Sequence, residues 1–172
     1  MKHNHMIEYD GIKLRPLEND DLELLRGWRN QVSIRKCFID QTIIESEQQL
    51  KWYQRYLDNP SDIFFIIEET RRLQRPVGAA SLYQINYESS NAEFGRLMIG
   101  DTEALGMGIG KKTLDAICDF GFKVLQLETV YLEVLETNTK AINIYQQAGF
   151  VVLEKHRTNN IDMLKMVKGL SV

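Results

Sequence analysis

The sequence predicts an α/β protein of the α+β kind, with a mixed, mostly antiparallel central sheet of about seven strands flanked by about four helices. Three observations predict it. Short runs of β-branched and aromatic residues, separated by turn-forming residues, fill the middle of the chain and read as an antiparallel meander. Stretches of helical periodicity stand before and after that meander, each placing its apolar side chains on one stripe. The last two apolar runs meet at Asn159-Asn160, which suits the turn of a hairpin.

Residues 11–17 read as the first strand, with Ile12 and Leu14 alternating against Lys13 and Arg15 before Pro16 closes it. A helix follows, capped by Asn19 or Asp20. Its positive end suits Asp20, Asp21 and Glu23, and Leu22, Leu25 and Trp28 or Arg29 continue the period to an end near Asn30. Residues 31–41 carry no clear period. Ser46-Glu47-Gln48-Gln49 matches a capping box that opens a second helix with Leu50, Tyr53 and Leu57 aligned, and Asn59-Pro60 stops it. Ile63-Phe64-Phe65-Ile66-Ile67 is a strand, and a charged turn over 71–75 separates it from the next, over 77–87. Glu88-Ser89-Ser90-Asn91 turns into a further strand over 92–99. A glycine-spaced turn then opens a helix over 112–125, on which Leu114, Ile117, Cys118, Gly121 and Leu125 recur at helical spacing. A strand over 129–134, a helix over 139–148 stopped by Gly149, and a hairpin of 150–156 with 161–167 complete the order.

The 172 residues show no internal repeat, linker or low-complexity tract, so a single domain over 1–172 is expected. The 44% hydrophobic and 26% charged fractions are those of a globular chain. A net charge of -3 without a basic run argues against a nucleic-acid partner. No apolar stretch approaches bilayer length, and Met1-Lys2-His3-Asn4-His5 lacks the apolar segment of a signal peptide, so a cytoplasmic location without a membrane partner is expected. Cys37 and Cys118 have no ligand spacing and read as reduced packing thiols, and His3, His5 and His156 form no ligand constellation. Neither a disulfide nor a metal is expected.

The cofactor-binding candidate is Leu105-Gly106-Met107-Gly108-Ile109-Gly110-Lys111. Glycines at alternate positions let the backbone approach a ligand closely, and the helix that follows offers unpaired N–H groups at its start, which suits phosphate. Two better-known phosphate loops do not fit. Gly106 and Gly110 enclose three residues where the Walker pattern needs four, and Lys112 intervenes before Thr113. The dinucleotide fingerprint needs Gly-x-Gly-x-x-Gly inside a parallel βαβ unit, whereas here the spacing is Gly-x-Gly-x-Gly after a meander. A flexible strand-to-helix turn remains the plainer reading of the glycines alone.

The second motif lies in Leu132 to Phe150: a strand, then Asn138-x-x-Ala141, three residues, Tyr145, and Gly149-Phe150. This resembles the C-terminal motif of the GNAT N-acetyltransferases, and the glycine turn resembles their acetyl-CoA pyrophosphate loop. Both motifs stand in the family's order, and the resemblance covers nearly the whole chain, Trp28-Arg29-Asn30 included. Among branches the chain looks most like the spermidine, ribosomal-protein and nucleotide-linked amino-sugar acetyltransferases, with Ile85-Asn86-Tyr87 and Ala92-Glu93-Phe94 most like the spermidine branch. It departs at Leu105, where the family usually has Gln or Arg.

The resemblance implies the GNAT fold and direct attack of a primary amine on the thioester of acetyl-CoA as co-substrate, without a metal. Such attack needs a neutral amine, a carbonyl at reacting distance and a proton for the departing thiolate. The backbone of Leu97, Met98 and Ile99 would pair with the pantetheine arm, the stretch from Leu105 to Lys111 would hold the pyrophosphate, and Asn138 would orient the cofactor. Tyr145 would touch the cofactor and serve as general acid, with Glu93 as base. From the residues alone, Tyr145 also reads as a packing tyrosine, Asn138 as a helix cap and Glu93 as a solvated strand residue. The acceptor expected is a small molecule, either a nucleotide-linked amino sugar, which Arg29 and Arg35 would favour, or a polyamine, which Glu18, Asp20, Asp21 and Glu23 would attract unless they are ordinary helix-end charges. A protein N-terminus and a non-catalytic acyl-CoA sensor are the alternatives, with self-association left open.

Overall fold

Ile63-Phe64-Phe65-Ile66-Ile67 is apolar at consecutive positions because the strand it forms is covered on both faces. The computed structural model describes residues 2–170. Its strands are β1 (Ile7–Tyr9), β2 (Ile12–Pro16), β3 (Ile63–Glu69), β4 (Arg75–Asn86), β5 (Asn91–Ile99), β6 (Thr129–Leu135), β7 (Val151–Thr158) and β8 (Ile161–Gly169). They form one sheet in the order β1-β2-β3-β4-β5-β6-β8-β7, antiparallel throughout except between β5 and β6. The helices are α1 (Leu22–Asn30), α2 (Val32–Arg35), α3 (Ser46–Asp58), α4 (Ile109–Lys123) and α5 (Thr139–Gln147). The seven expected strands are present, and β1 adds an eighth too short for alternation to announce.

Two cores lie on opposite faces. Phe65 and Ile67 pack with Leu114, Ile117 and Phe120 of α4, while Phe64 and Ile66 pack with Leu25 and Trp28 of α1 and Tyr53 and Tyr56 of α3. Each of these side chains contributes roughly 1.5–3 kcal/mol by leaving water, which is what fastens the helices to the sheet.

Three local details differ from expectation. The first helix is entered through a tight turn, Asn19–Asp21, whose capping pair is Glu18 and Asp21 rather than Asn19 or Asp20, with Glu18 N donating to Asp21 Oδ2 at 2.9 Å. Asp21 is buried and takes two hydrogen bonds from Arg15, at 2.7 and 2.8 Å, so it is a fold-internal charge. The box that opens α3 is Glu45 with Gln48, one residue before Ser46. Its inner stripe is Gln49, Tyr53 and Tyr56, because the aromatic rings dock near Phe64 and leave Leu50 exposed. Helix α4 begins at Ile109 rather than 112, which brings Gly110 and Lys111 into its first turn.

Strand β5 positions the site. Arg96 has φ +53 and sits where the β4–β5 register shifts. Such a bulge inserts one residue and switches which face later side chains meet. Phe94 and Leu97, three apart, therefore both face the α4 core, and Met98 faces the α1–α3 core. Parallel pairing of β5 with β6 stops at Glu93–Tyr131, so the β6-facing edge of 94–99 has no strand partner among the described residues.

Candidate active site

Where β5 and β6 part, a cleft of about 340 Å³ opens between Glu93, Phe94 and Leu97 on one side and Glu133, Asn138 and Tyr145 on the other. The segment between α1 and α3 roofs it, and the Trp28-Arg29-Asn30 stretch holds that roof. Asn30 brackets Ile44, donating to its carbonyl at 2.9 Å and accepting from its amide at 2.8 Å. Gln31 ties the end of α1 to Gly100 O at 2.8 Å, just past β5. Trp28-Arg29-Asn30 stands within the family resemblance, but residues 31–41 have no periodicity that would announce what it anchors.

Glu93 is buried, and its carboxylate accepts hydrogen bonds from Tyr83 Oη and from Gln84 Nε2, the latter at 3.0 Å. Burial pushes its pKa up and the Tyr83 bond opposes that. Glu133 adds to the rise, while Arg96 and Lys165 reduce it. A carboxylate so placed can accept a proton nearer neutrality than an exposed one. Tyr145 packs against Phe94 and Phe150, with ring centroids 6.5 and 6.2 Å away, and its phenol makes no hydrogen bond among the described residues. Burial pushes that phenol up to about 12, with nearby Cys37 adding to the rise, so it stays protonated and can donate at neutral pH. Asn138 caps α5, its Oδ1 accepting from Ala141 N at 3.2 Å, and it still lines the cleft.

The glycine turn divides into two parts. Gly106 and Gly108 have φ +83 and +73, left-handed conformations in which other residues are strained, and Gly108 is the N-cap of α4. Gly110 is helical, and a Cβ there would meet only Leu97 Cδ2, at 3.7 Å. The backbone N–H groups of Gly106, Gly108, Ile109, Gly110 and Lys111 have no acceptor among the described residues, as a phosphate cradle requires. The Lys111 ammonium is paired with Asp115 at 2.6 Å, so its amide rather than its charge faces the loop. Leu105 is exposed. Of the three β5 residues, Leu97 borders the cleft, Ile99 lies with it on the α4 side, and the Met98 side chain turns to the other face.

A second cavity, of about 360 Å³, adjoins the first and shares Arg29, Phe38, Asp40 and Arg96 with it. Arg55 lines it, and Arg35 lines neither cavity. The Arg29 guanidinium lies 3.9 Å from the Phe38 ring centroid and donates through Nη2 to Asp40 O at 2.6 Å, while its Nη1 is buried without a partner among the described residues. The Asp40 carboxylate is engaged by Thr42 N and Oγ1, at 2.9 and 2.8 Å. Among the described residues no three His, Cys, Asp or Glu side chains converge as a metal site, and no helix is long and apolar enough to cross a membrane. Cys37 and Cys118 are both free thiols.

Residues 12–151 match the family model described as an acetyltransferase (GNAT) domain. The chain belongs to the GNAT acetyltransferase family. GNAT enzymes use acetyl-CoA as acyl donor, and this one is an N-acetyltransferase. It is 30% identical over 141 residues to the spermidine N(1)-acetyltransferase of Escherichia coli strain K12, covering 82% of this chain and 73% of that one. It is 24% identical over 149 residues to the acetyltransferase PseH of Campylobacter jejuni, covering 85% and 88%. The crystal structure of spermidine N-acetyltransferase from Vibrio cholerae in complex with CoA and spermine superposes with a TM-score of 0.84 at 24% identity, covering 92% and 95%, a likeness of fold.

Proposed function

We propose that this GNAT enzyme acetylates the primary amine of a small molecule that also carries an anionic group, a nucleotide-linked amino sugar being the type. When bound, acetyl-CoA supplies an electrophilic thioester carbonyl. The unpaired amides from Gly106 to Lys111 hold its pyrophosphate, the free edge of β5 at Leu97, Met98 and Ile99 pairs with its pantetheine arm, and Asn138 orients it. Glu93 takes the proton of the acceptor amine, directly or through water, and Tyr145 donates one to the leaving sulfur.

The observation that carries the acceptor class is Arg29. It lies where the two cavities meet and keeps one buried donor unspent, so an anion reaching it from an amine held at Glu93 would satisfy that donor. The acidic run at the start of α1 offers a polyamine less. Asp21 is buried against Arg15, Glu23 pairs with Arg26 at 2.6 Å, and none of Glu18, Asp20, Asp21 or Glu23 lines either cavity.

A panel of amines assayed for thiol release from acetyl-CoA tests the reading. Anionic amines should give the highest kcat/KM, with KM rising as salt screens the arginines. Preferred turnover of spermidine would refute the acceptor class, and tight acetyl-CoA binding with no amine acetylated would refute catalysis in favour of a sensor.

A further inference from the structure

We propose that Tyr83, Gln84 and Tyr131 form a clamp that positions the Glu93 carboxylate for proton acceptance, an inference that rests on reading Glu93 as the base. The register creates it. Tyr83 stands opposite Glu93 in the β4–β5 pair and Tyr131 opposite Glu93 in the β5–β6 pair, so the three form a row across the sheet. Ala92 and Phe94 face the α4 core, which puts that row on the opposite face.

Strict alternation would send Gln84 away from its neighbour Tyr83. Instead Gln84 has φ +51 and sits where the β4–β5 register shifts between Tyr83 and Asn86. That left-handed backbone is unfavourable for a residue with a side chain, and here it turns the amide onto Glu93. Tyr83 Oη donates to Glu93 Oε1, Gln84 Nε2 donates to Glu93 Oε2 at 3.0 Å, and Tyr131 Oη donates to Gln84 Oε1 at 3.3 Å. Both carboxylate oxygens are thereby oriented, and the amide that holds one of them is itself held.

The Tyr83 ring is closely packed. The Arg96 guanidinium lies 4.3 Å from its centroid and is anchored on buried Asp62 at 2.7 Å. A Cβ at Gly95 would come within 2.9 Å of the ring, so the glycine leaves room for it.

A buried carboxylate with no donors would hold its proton at neutral pH and fail as a base. The charged and titratable groups that face Glu93 are Tyr83 on β4, Arg96 on β5, Tyr131 and Glu133 on β6, and Lys165 on β8, with Arg29, Cys37 and Asp40 on the roof and Tyr145 on α5. His156 stands 3.5 Å from Glu133. Within this set Tyr83 is the only hydrogen-bond donor to Glu93 that also titrates. Its own pKa is raised by burial and by that bond, so it donates across the working pH range.

The test is the pH dependence of kcat/KM on an acceptor the wild type turns over, measured for wild type, Tyr83→Phe, Tyr131→Phe and Glu93→Gln. Phenylalanine keeps the ring beside Arg96 and Gly95 and removes only the donor. Losing one bond to an ionised group should move the acid limb of Tyr83→Phe to higher pH by about one unit, with KM for acetyl-CoA unchanged. Tyr131→Phe should shift it the same way by less. A purely structural tyrosine would lower activity without moving the limb. If Glu93→Gln kept wild-type kcat/KM, the base reading would fail and the clamp with it. If Glu93→Gln lost activity while Tyr83→Phe left the limb in place, the clamp alone would fall.

Discussion

Gly110→Ala separates what the fold needs from what the cofactor needs, because its expected effects on the free and the liganded protein have opposite signs. Gly110 lies in the first turn of α4 with an ordinary helical backbone, and an added methyl would touch only Leu97 Cδ2, at 3.7 Å. Alanine should therefore stabilise the free protein by about 0.5–1 kcal/mol. For a chain of this length that raises Tm by roughly 1–4 °C. The same methyl would occupy the space between the α4 amides and Leu97, the two elements proposed to hold acetyl-CoA. Crowding there should weaken binding about tenfold, which removes about 1.4 kcal/mol of ligand stabilisation at saturation. Thermal melts with and without acetyl-CoA should then show the variant above wild type when free and level with it or below when liganded. Gly108→Ala, at φ +73, is the contrast, and should destabilise the free protein by about 1 kcal/mol. A free Gly110→Ala protein less stable than wild type, or an undiminished acetyl-CoA shift, would refute the reasoning.

Tyr145→Phe should leave acetyl-CoA affinity and Tm nearly unchanged while turnover falls by roughly 10²–10⁴-fold, as read by steady-state kinetics and thermal shift; full turnover would leave Tyr145 a packing residue. Glu93 has a folded-state pKa raised by burial, so its protonated form suits the fold and the stability this contributes fades as pH rises through the raised value. Glu93→Gln should accordingly be more stable than wild type above that value, with the gap closing below the ordinary glutamate pKa. Denaturant melts across pH check this, and a gap that widens on acidification would contradict it.

Much of the candidate site could be read along the chain because its signals are short. The Asn138 cap, the left-handed glycines at 106 and 108 and the strand carrying Glu93 each depend on a few neighbouring residues. Lys111 belongs to the stretch that the family resemblance assigns to the pyrophosphate, and its ammonium pairs with Asp115, four residues on, because helix α4 starts at Ile109. That pairing follows from where the helix begins, which periodicity alone places only to within a turn. Arg35 was expected near an anionic acceptor, but it is Arg55, on α3, that reaches the cavity. Both are arginines on helices, and only the packing of α3 over the sheet distinguishes them.

The sequence by itself determined the order of strands and helices, the covered central strand Ile63–Ile67, and the glycine turn followed by Asn138 and Tyr145, because backbone preference and hydrophobic period act over a few residues. Only the tertiary structure decided that β5 and β6 separate after Glu93, that Tyr83 and Gln84 converge on its carboxylate, and that Arg29 faces the junction of two cavities. These depend on the bulges at Gln84 and Arg96 and on cross-strand register. Register is fixed when distant segments pack together, and a shift of one residue would turn every later side chain to the other face.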